Sequence, residues 1–310
     1  MNATLHTIDG RSVLRFERRL AHPVEKVWRA VTDPEQMAHW FPAIVEMDLR
    51  PGGRIRYTYP AGDAAPDEGE VIELDPPRVF ALTWNGAALR MELTPDGSGT
   101  RLVFTHTFAD RPMAGSFATG WDTCLGALEK TLAGPVEGSL IRPERYAERH
   151  DAYVAAFGLG EGTFHAGSGT IRFERMLPHP AGQVWPALTR TGEAAAPAIG
   201  DPPPLPATNA YVPAGALTAI RAEELLEYTW LRDGAPAGRV RWELTGGHPA
   251  GTRVVLTQTG LAGEPATALA AWHTQLEVFA DHLRGVTHRP WPKDRTEELA
   301  AHYAERAEAR

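Results

Sequence analysis

The sequence predicts an α+β fold built twice: two tandem domains, residues 1–160 and 161–310, each a curved antiparallel sheet wrapped around a long C-terminal helix. Three observations predict it. First, Leu14 to Asp33, LRFERRLAHPVEKVWRAVTD, returns at Ile171 to Arg190 as IRFERMLPHPAGQVWPALTR, with eleven of twenty residues in register. Chance gives about one, and a repeat spaced by a whole domain length marks a duplication rather than a solenoid. Second, each copy continues into short segments of alternating apolar and polar residues broken by turn signals. Third, each copy closes with a long amphipathic segment.

Composition bounds what the chain does. A length of 310 residues suits two domains, and 43% hydrophobic with 23% charged residues is ordinary for a globular protein. A formal net charge of -8 leaves no electrostatic footprint for nucleic acid and makes anionic membranes poor partners. No apolar run approaches the ~18 residues of a membrane span, and MNATLHTIDGRS lacks the basic and apolar regions of a signal peptide, so a cytoplasmic location is expected. The single cysteine, Cys124, allows no internal disulfide and fits a reducing compartment.

Along the first copy, Leu14 to Leu20 alternates as a strand, with Leu14, Phe16, Arg18 and Leu20 on one face. His22-Pro23 ends it and opens a helix in which Val24, Val27, Trp28 and Val31 recur at helical spacing. A short second helix is expected over Glu35 to Trp40, presenting Met37, Trp40 and Phe41. Strands follow around Ile55-Tyr57-Tyr59, Val71 to Leu74, Phe80-Leu82-Trp84, Met91-Leu93 and Leu102-Phe104-His106-Phe108. Pro51-Gly52-Gly53, Asn85-Gly86 and Asp96 to Gly99 supply turns between them. Phe117, Trp121, Cys124, Leu125, Leu128 and Leu132 then form one stripe of a helix that Gly134-Pro135 ends. A further amphipathic segment, Pro143 to Phe157, closes the copy, and Gly158 to Gly169 reads as the linker.

The second copy repeats this order, with Trp272 for Trp121 and Gln258 for His106. It departs where Met37, Trp40 and Phe41 stood. Gly192 to Pro206 is rich in alanine and proline, which forbids a regular helix there. Pro186 falls inside the first helix of this copy, so that helix is expected to start late or kink, and the second interior to be distorted.

These motifs resemble those of the SRPBCC, or START-like, superfamily, and more narrowly the bacterial relatives of the C-terminal domain of the heat-shock-protein-90 ATPase activator. The residues that carry the likeness are Val27-Trp28-Arg29-Ala30-Val31-Thr32-Asp33-Pro34, Trp40-Phe41, Pro51-Gly52-Gly53, Asp75-Pro76-Pro77, Gly99-Thr100-Arg101-Leu102 and Gly120-Trp121. The resemblance implies tandem helix-grip domains with a cavity between sheet and helix. In that superfamily the cavity commonly takes a hydrophobic small molecule; some members are cyclases or dehydratases and some are cofactors of other proteins. Fold alone selects none of these.

Strand parity places Tyr57, Tyr59, Trp84, Met91, Phe104, His106 and Phe108 opposite Trp121, Cys124, Leu125 and Leu128, and Trp28, Trp40 and Phe41 are further candidate ligand-binding residues. An enclosed aromatic surface with a few polar tips suits a hydrophobic or aromatic ligand, although the same residues also serve simply to fill a core. His106 is either a general base, alone or with Tyr57 or Tyr59, or a histidine satisfied by a neighbour. Cys124 reads as a small buried hydrophobe, since no third member of a nucleophilic set accompanies it. No histidine pair with a carboxylate falls at metal-ligand spacing and no phosphate-binding glycine motif occurs, so neither metal nor nucleotide cofactor is expected. The expected activity is therefore cofactor-free binding of a hydrophobic small molecule in the first domain. An enzyme of the cyclase, dehydratase or hydrolase kind, or a module that engages a chaperone or protein client, are the alternatives.

Overall fold

The structure is a computed structural model that describes residues 3–59, 66–134, 143–190, 196–248, 251–286 and 290–308. The chain divides into two units, Met1–Phe157 and Gly158–Arg310, each a helix-grip domain.

In the first unit eight strands form one antiparallel sheet: β1 (Ala3–Ile8), β2 (Arg11–Leu20), β3 (Ile44–Met47), β4 (Arg54–Thr58), β5 (Asp67–Asp75), β6 (Val79–Trp84), β7 (Ala87–Asp96) and β8 (Gly99–Phe108). Their spatial order is β1-β2-β8-β7-β6-β5-β4-β3. The hairpin β1-β2 lies outside what the periodicity of the sequence revealed. Its turn is Asp9-Gly10 and that of β6-β7 is Asn85-Gly86, each with both residues at positive φ, the conformation that lets a two-residue loop follow the twist of the strands. Alternation then sorts the faces. Along β8 every second residue from Thr100 to Phe108 is buried, and cross-strand pairing sets Phe104 between Phe16 and Met91, and His106 between Leu14 and Leu89.

Two helices separate β2 from β3. The first, α1 (Val24–Thr32), follows Pro23, and Asp33 ends it while its carboxylate accepts the Glu35 N–H at 3.0 Å to cap α2 (Pro34–Met37). This second helix is one turn long, shorter than expected. Trp40 and Phe41 come after it, held because the Trp40 indole donates to the Ala30 carbonyl at 2.8 Å. Gly53 is obligatory in the turn before β4, where a Cβ would lie 1.8 Å from the Asp48 carbonyl oxygen.

The long helix α3 (Ala114–Ala133) lies in the concave face and buries Trp121, Leu125, Leu128 and Leu132. A further helix, α4 (Pro143–Ala156), packs against it. Arg18 stays on the inner face of β2 because α3 provides its counter-charges: Asp122 at 2.5 Å and Glu129 at 3.1 Å. Arg90 and Glu92, of opposite parity to Met91, pair with each other on the outer face.

The second unit builds a six-stranded antiparallel sheet in the order β11-β12-β13-β14-β10-β9. The strands are β9 (Thr163–His165), β10 (Thr170–Leu177), β11 (Ala214–Arg221), β12 (Leu225–Arg232), β13 (Ala235–His248) and β14 (Gly251–Gln258). The helices are α5 (Ala181–Thr189), α6 (Ala266–Leu283) and α7 (Lys293–Glu308). Two expectations are corrected. Residues 158–169 are not a linker, because β9 pairs with β10 through Phe164 opposite Ile171 and so belongs to this sheet as β1 belongs to the first. Pro186 does not delay α5, which begins at Ala181 and runs through it; the carbonyl that loses its donor belongs to Gly182.

Where the first unit has β3 and β4, the described residues of the second carry the proline-rich stretch ending in a tight turn at Leu205–Ala207. Three side chains pin this stretch. Tyr228 Oη and Trp242 Nε1 donate to the Ala207 carbonyl at 2.7 and 3.1 Å, and Gln275 Nε2 donates to the Pro206 carbonyl at 2.7 Å. The described part of the stretch is thus tied to β12, β13 and α6.

Leu128 is fully buried at the centre of the first unit's sheet-helix contact. Replacing it by alanine is expected to destabilise the first unit by about 2–5 kcal/mol, read as a lower urea midpoint of the first unit's transition with the second unit's transition unmoved.

Candidate functional site

The inner ends of β6 and β8 meet α3 in a cluster of rings. Trp121 stands at its centre, with ring centroids 4.7 Å from Phe104, 5.3 Å from Trp84 and 5.7 Å from Phe41. Phe41 in turn stacks on Tyr57 at 6.0 Å. Beyond Trp121, His106 lies 4.8 Å from Phe108 and 4.7 Å from Phe117, which sits one helical turn before Trp121. Phe117 was not among the residues first expected at the site, although its place on the same stripe of α3 was readable from spacing.

Most of this cluster is shut away from solvent: Phe41, Tyr57, Met91, Phe104, His106, Phe108, Trp121 and Leu128 are all buried. Tyr59, Trp84 and Phe117 are only partly buried and form its rim. The Trp84 indole donates to Tyr59 Oη at 3.0 Å, which fixes the orientation of both at the edge. Trp28 does not join the cluster. It meets Phe80 edge-on at 6.5 Å, near the opposite end of β6 from Trp84. Cys124 also faces elsewhere: its electrostatic neighbour is Tyr146 of α4, and desolvation pushes its thiol up to about 12, far from a thiolate. No hydrogen bond joins it to His106 among the described residues.

His106 is the polar centre of the cluster. Its Nδ1 accepts the Trp121 indole N–H at 3.1 Å, which requires a lone pair there and puts the proton of the neutral ring on Nε2. Burial among aromatic rings pushes its pKa down to about 3. The ring is therefore neutral at physiological pH and its one basic nitrogen is already engaged, so it is poorly placed as a general base. The tyrosines do not supply the missing partner. Tyr57 Oη donates to the Thr83 carbonyl at 2.7 Å, and desolvation raises its pKa.

The same position in the second unit is Gln258. Its Oε1 accepts the Trp272 indole N–H at 2.6 Å, so a carbonyl oxygen replaces the imidazole nitrogen and the contact between helix and strand survives. The aromatic surroundings do not survive. Phe108 and Phe117 give way to Gly260 and Ala268, while Trp230, the counterpart of Trp84, is buried with its indole committed to the Thr259 carbonyl at 2.7 Å.

Two clefts lie elsewhere. One of about 240 Å³ on the first unit is lined by Arg18, Asp122, Glu129, Lys130 and Arg149, and an open one of about 610 Å³ on the second by Arg221, Glu223, Glu224 and Glu243. Both are walled by charged groups and neither includes an aromatic ring. Among the described residues no cluster of histidine, cysteine and carboxylate side chains is arranged to hold a metal, and no helix is long and apolar enough to cross a membrane.

The depressed pKa of His106 has a definite consequence for stability. As pH falls below 6.5 the unfolded chain takes up the proton that the folded ring refuses until about 3, so stability is complete above that window and drains away as pH falls through it. The slope from this group is about 1.4 kcal/mol per pH unit. His106→Gln is expected to flatten the acid limb of the first unit's stability by that amount while keeping the bond to Trp121. Long-range ¹H–¹⁵N spectra should show an Nε2–H tautomer unchanged between pH 5 and 8.

Comparison with known proteins places the first unit. Residues 21–133 match the family model described as Activator of Hsp90 ATPase homolog 1-like protein. Solved structures that resemble the chain include CalU16 from Micromonospora echinospora, with 25% identity over 50% of this chain and 96% of that one and a TM-score of 0.40. They also include EF2215 from Enterococcus faecalis, a conserved protein of unknown function, with 17% identity over 50% and 90% and a TM-score of 0.43. The protein encoded by BPP1335 of Bordetella parapertussis shows 31% identity over 46% and 84%, with a TM-score of 0.38. No curated protein matches the chain.

Proposed function

From the membership of this chain in the AHSA1-like branch of the SRPBCC superfamily, we propose that its first unit binds an aromatic or otherwise hydrophobic small molecule. The observation that carries this reading is the rim: Tyr59, Trp84 and Phe117 stand partly exposed above rings that are buried. A ligand inserting there exchanges solvent for aromatic faces without breaking a charged contact, and the gain is the burial of apolar area. The second unit offers a contrast, since the positions of Phe108 and Phe117 are Gly260 and Ala268 there and the rings that pack on His106 have no counterpart.

The acid-base reading has less support, because His106 is neutral with its acceptor nitrogen engaged and no tyrosine hydroxyl converges on it. A protein client is the reading that the family description raises; its surface would include Ile44 on β3 and Ile72 on β5, both exposed. Binding within the aromatic cluster and binding on that outer surface respond to different substitutions.

The probe N-phenyl-1-naphthylamine is expected to bind the full chain saturably, one molecule per chain, with enhanced fluorescence. Phe117→Ala should weaken it roughly tenfold or more, the equivalent of losing a buried aromatic contact of ~1.5–3 kcal/mol. Ile44→Ser and Ile72→Ser should leave it unchanged. Absence of saturable binding, or equal affinity in Phe117→Ala, overturns the proposal.

A further inference from the structure

His106 and Gln258 occupy the same place in the two units and have little in common chemically, yet each ends with the same surplus. Once His106 Nδ1 has accepted the Trp121 indole, the remaining nitrogen, Nε2, carries a hydrogen, is buried, and has no hydrogen-bond partner. Once Gln258 Oε1 has accepted the Trp272 indole, its Nε2 amide is likewise buried with no partner. A donor left unpaired in an apolar interior loses its hydration without compensation, so buried donors are ordinarily paired with protein or with something bound.

The two units treat this donor differently. In the first it lies among Trp84, Phe108 and Phe117, two of which reach the partly exposed rim. In the second no rim stands over it. Charge complementarity limits what an occupant of the first site looks like. Aromatic rings surround His106 and its cross-strand neighbours are Leu14 and Leu89, so among the described residues no cation faces it to compensate an anion, and an uncompensated buried charge is heavily penalised. A cation or a donor-only group would set hydrogen against hydrogen.

We infer that the first unit selects a neutral aromatic carbonyl compound, an aryl ketone, quinone or ester, whose oxygen accepts a hydrogen bond from His106 Nε2–H while its ring packs against Trp84 and Phe117 at the rim. This deepens the reading proposed above and rests on it. His106 is here a specificity-determining residue, and Trp121 a positioning residue that fixes which nitrogen carries the proton.

The test compares 1-acetonaphthone with 1-ethylnaphthalene, which matches it in shape but lacks the oxygen, by equilibrium dialysis against the full chain. The ketone is expected to bind about tenfold tighter or more, and to shift the His106 Nε2–H resonance. His106→Gln, which keeps an amide donor as Gln258 does, should retain the preference; His106→Leu should abolish it. Gln258→Leu should leave it intact. Equal affinities, or ketone binding that leaves the Nε2–H resonance unmoved, overturn the carbonyl inference while leaving small-molecule binding standing. So does a crystal structure in which a water keeps the Nε2–H with the ketone bound. Failure of both probes to bind overturns both. Should His106→Leu fail to fold, His106→Gln and the resonance of the unsubstituted protein decide alone.

Discussion

The indole N–H of the long helix, donated to a side chain near the end of the last strand, is the interaction on which the architecture of both units turns. A tryptophan at that point must bury its ring to be worth having, and burial obliges its N–H to find an acceptor. The strand supplies one from its concave face: His106 Nδ1 for Trp121, Gln258 Oε1 for Trp272. This single bond fixes how far the helix sits along the sheet and which way the ring turns. The ring then dictates its neighbours, for Phe104, Trp84 and Phe41 in the first unit are arranged around Trp121, while Trp242 lies edge-on to Trp272 in the second.

Around this shared bond the copies have diverged in how they close the remaining space. The first encloses it with Trp40 and Phe41, tied to α1 through the Ala30 carbonyl. The second folds a proline-rich stretch inward and holds it by its carbonyls, which is the polar chemistry that such a segment still offers where prolines lack the N–H. The inward arginine has diverged too. Arg18 meets two carboxylates of α3, whereas Arg175 donates to the Gly160 carbonyl at 2.8 Å and burial draws its pKa down to about 10. Position 122 explains the difference: an aspartate in the first copy is His273 in the second, so the opposing charge is gone from that turn.

The sequence made the duplication and most of the sheet legible, because strand alternation, hairpin turns and the helical stripe are local signals. Asn85-Gly86 announces its hairpin through backbone preference alone, and the parity of Phe104, His106 and Phe108 follows once β8 is recognised. What stayed illegible depended on partners far away in the chain. The strands β1 and β9 are edge elements, mostly exposed, so hydrophobic alternation is weak in them and pairing alone defines them. Cys124 shares a stripe with Trp121 by spacing, yet the arrival of α4 gives that side of α3 a different neighbour. Trp28 is a candidate by residue type, and the length of β6 separates it from the other aromatics.

The same dependence on distant partners decides what His106 is able to do. As a residue in a list it is a candidate base, since its ordinary pKa lies near neutrality. Placed between Leu14 and Leu89 and beneath three aromatic rings, it loses the solvation that a charged ring needs, and the helix tryptophan takes the lone pair that a base would use. The duplication makes the point a second time, since glutamine, which cannot titrate, fills the same role toward the same tryptophan. A position that accepts either residue is constrained by hydrogen-bond direction: one acceptor toward the helix and one donor left over. Recognition of an oxygen is chemistry that this residual donor supports, and proton abstraction is not.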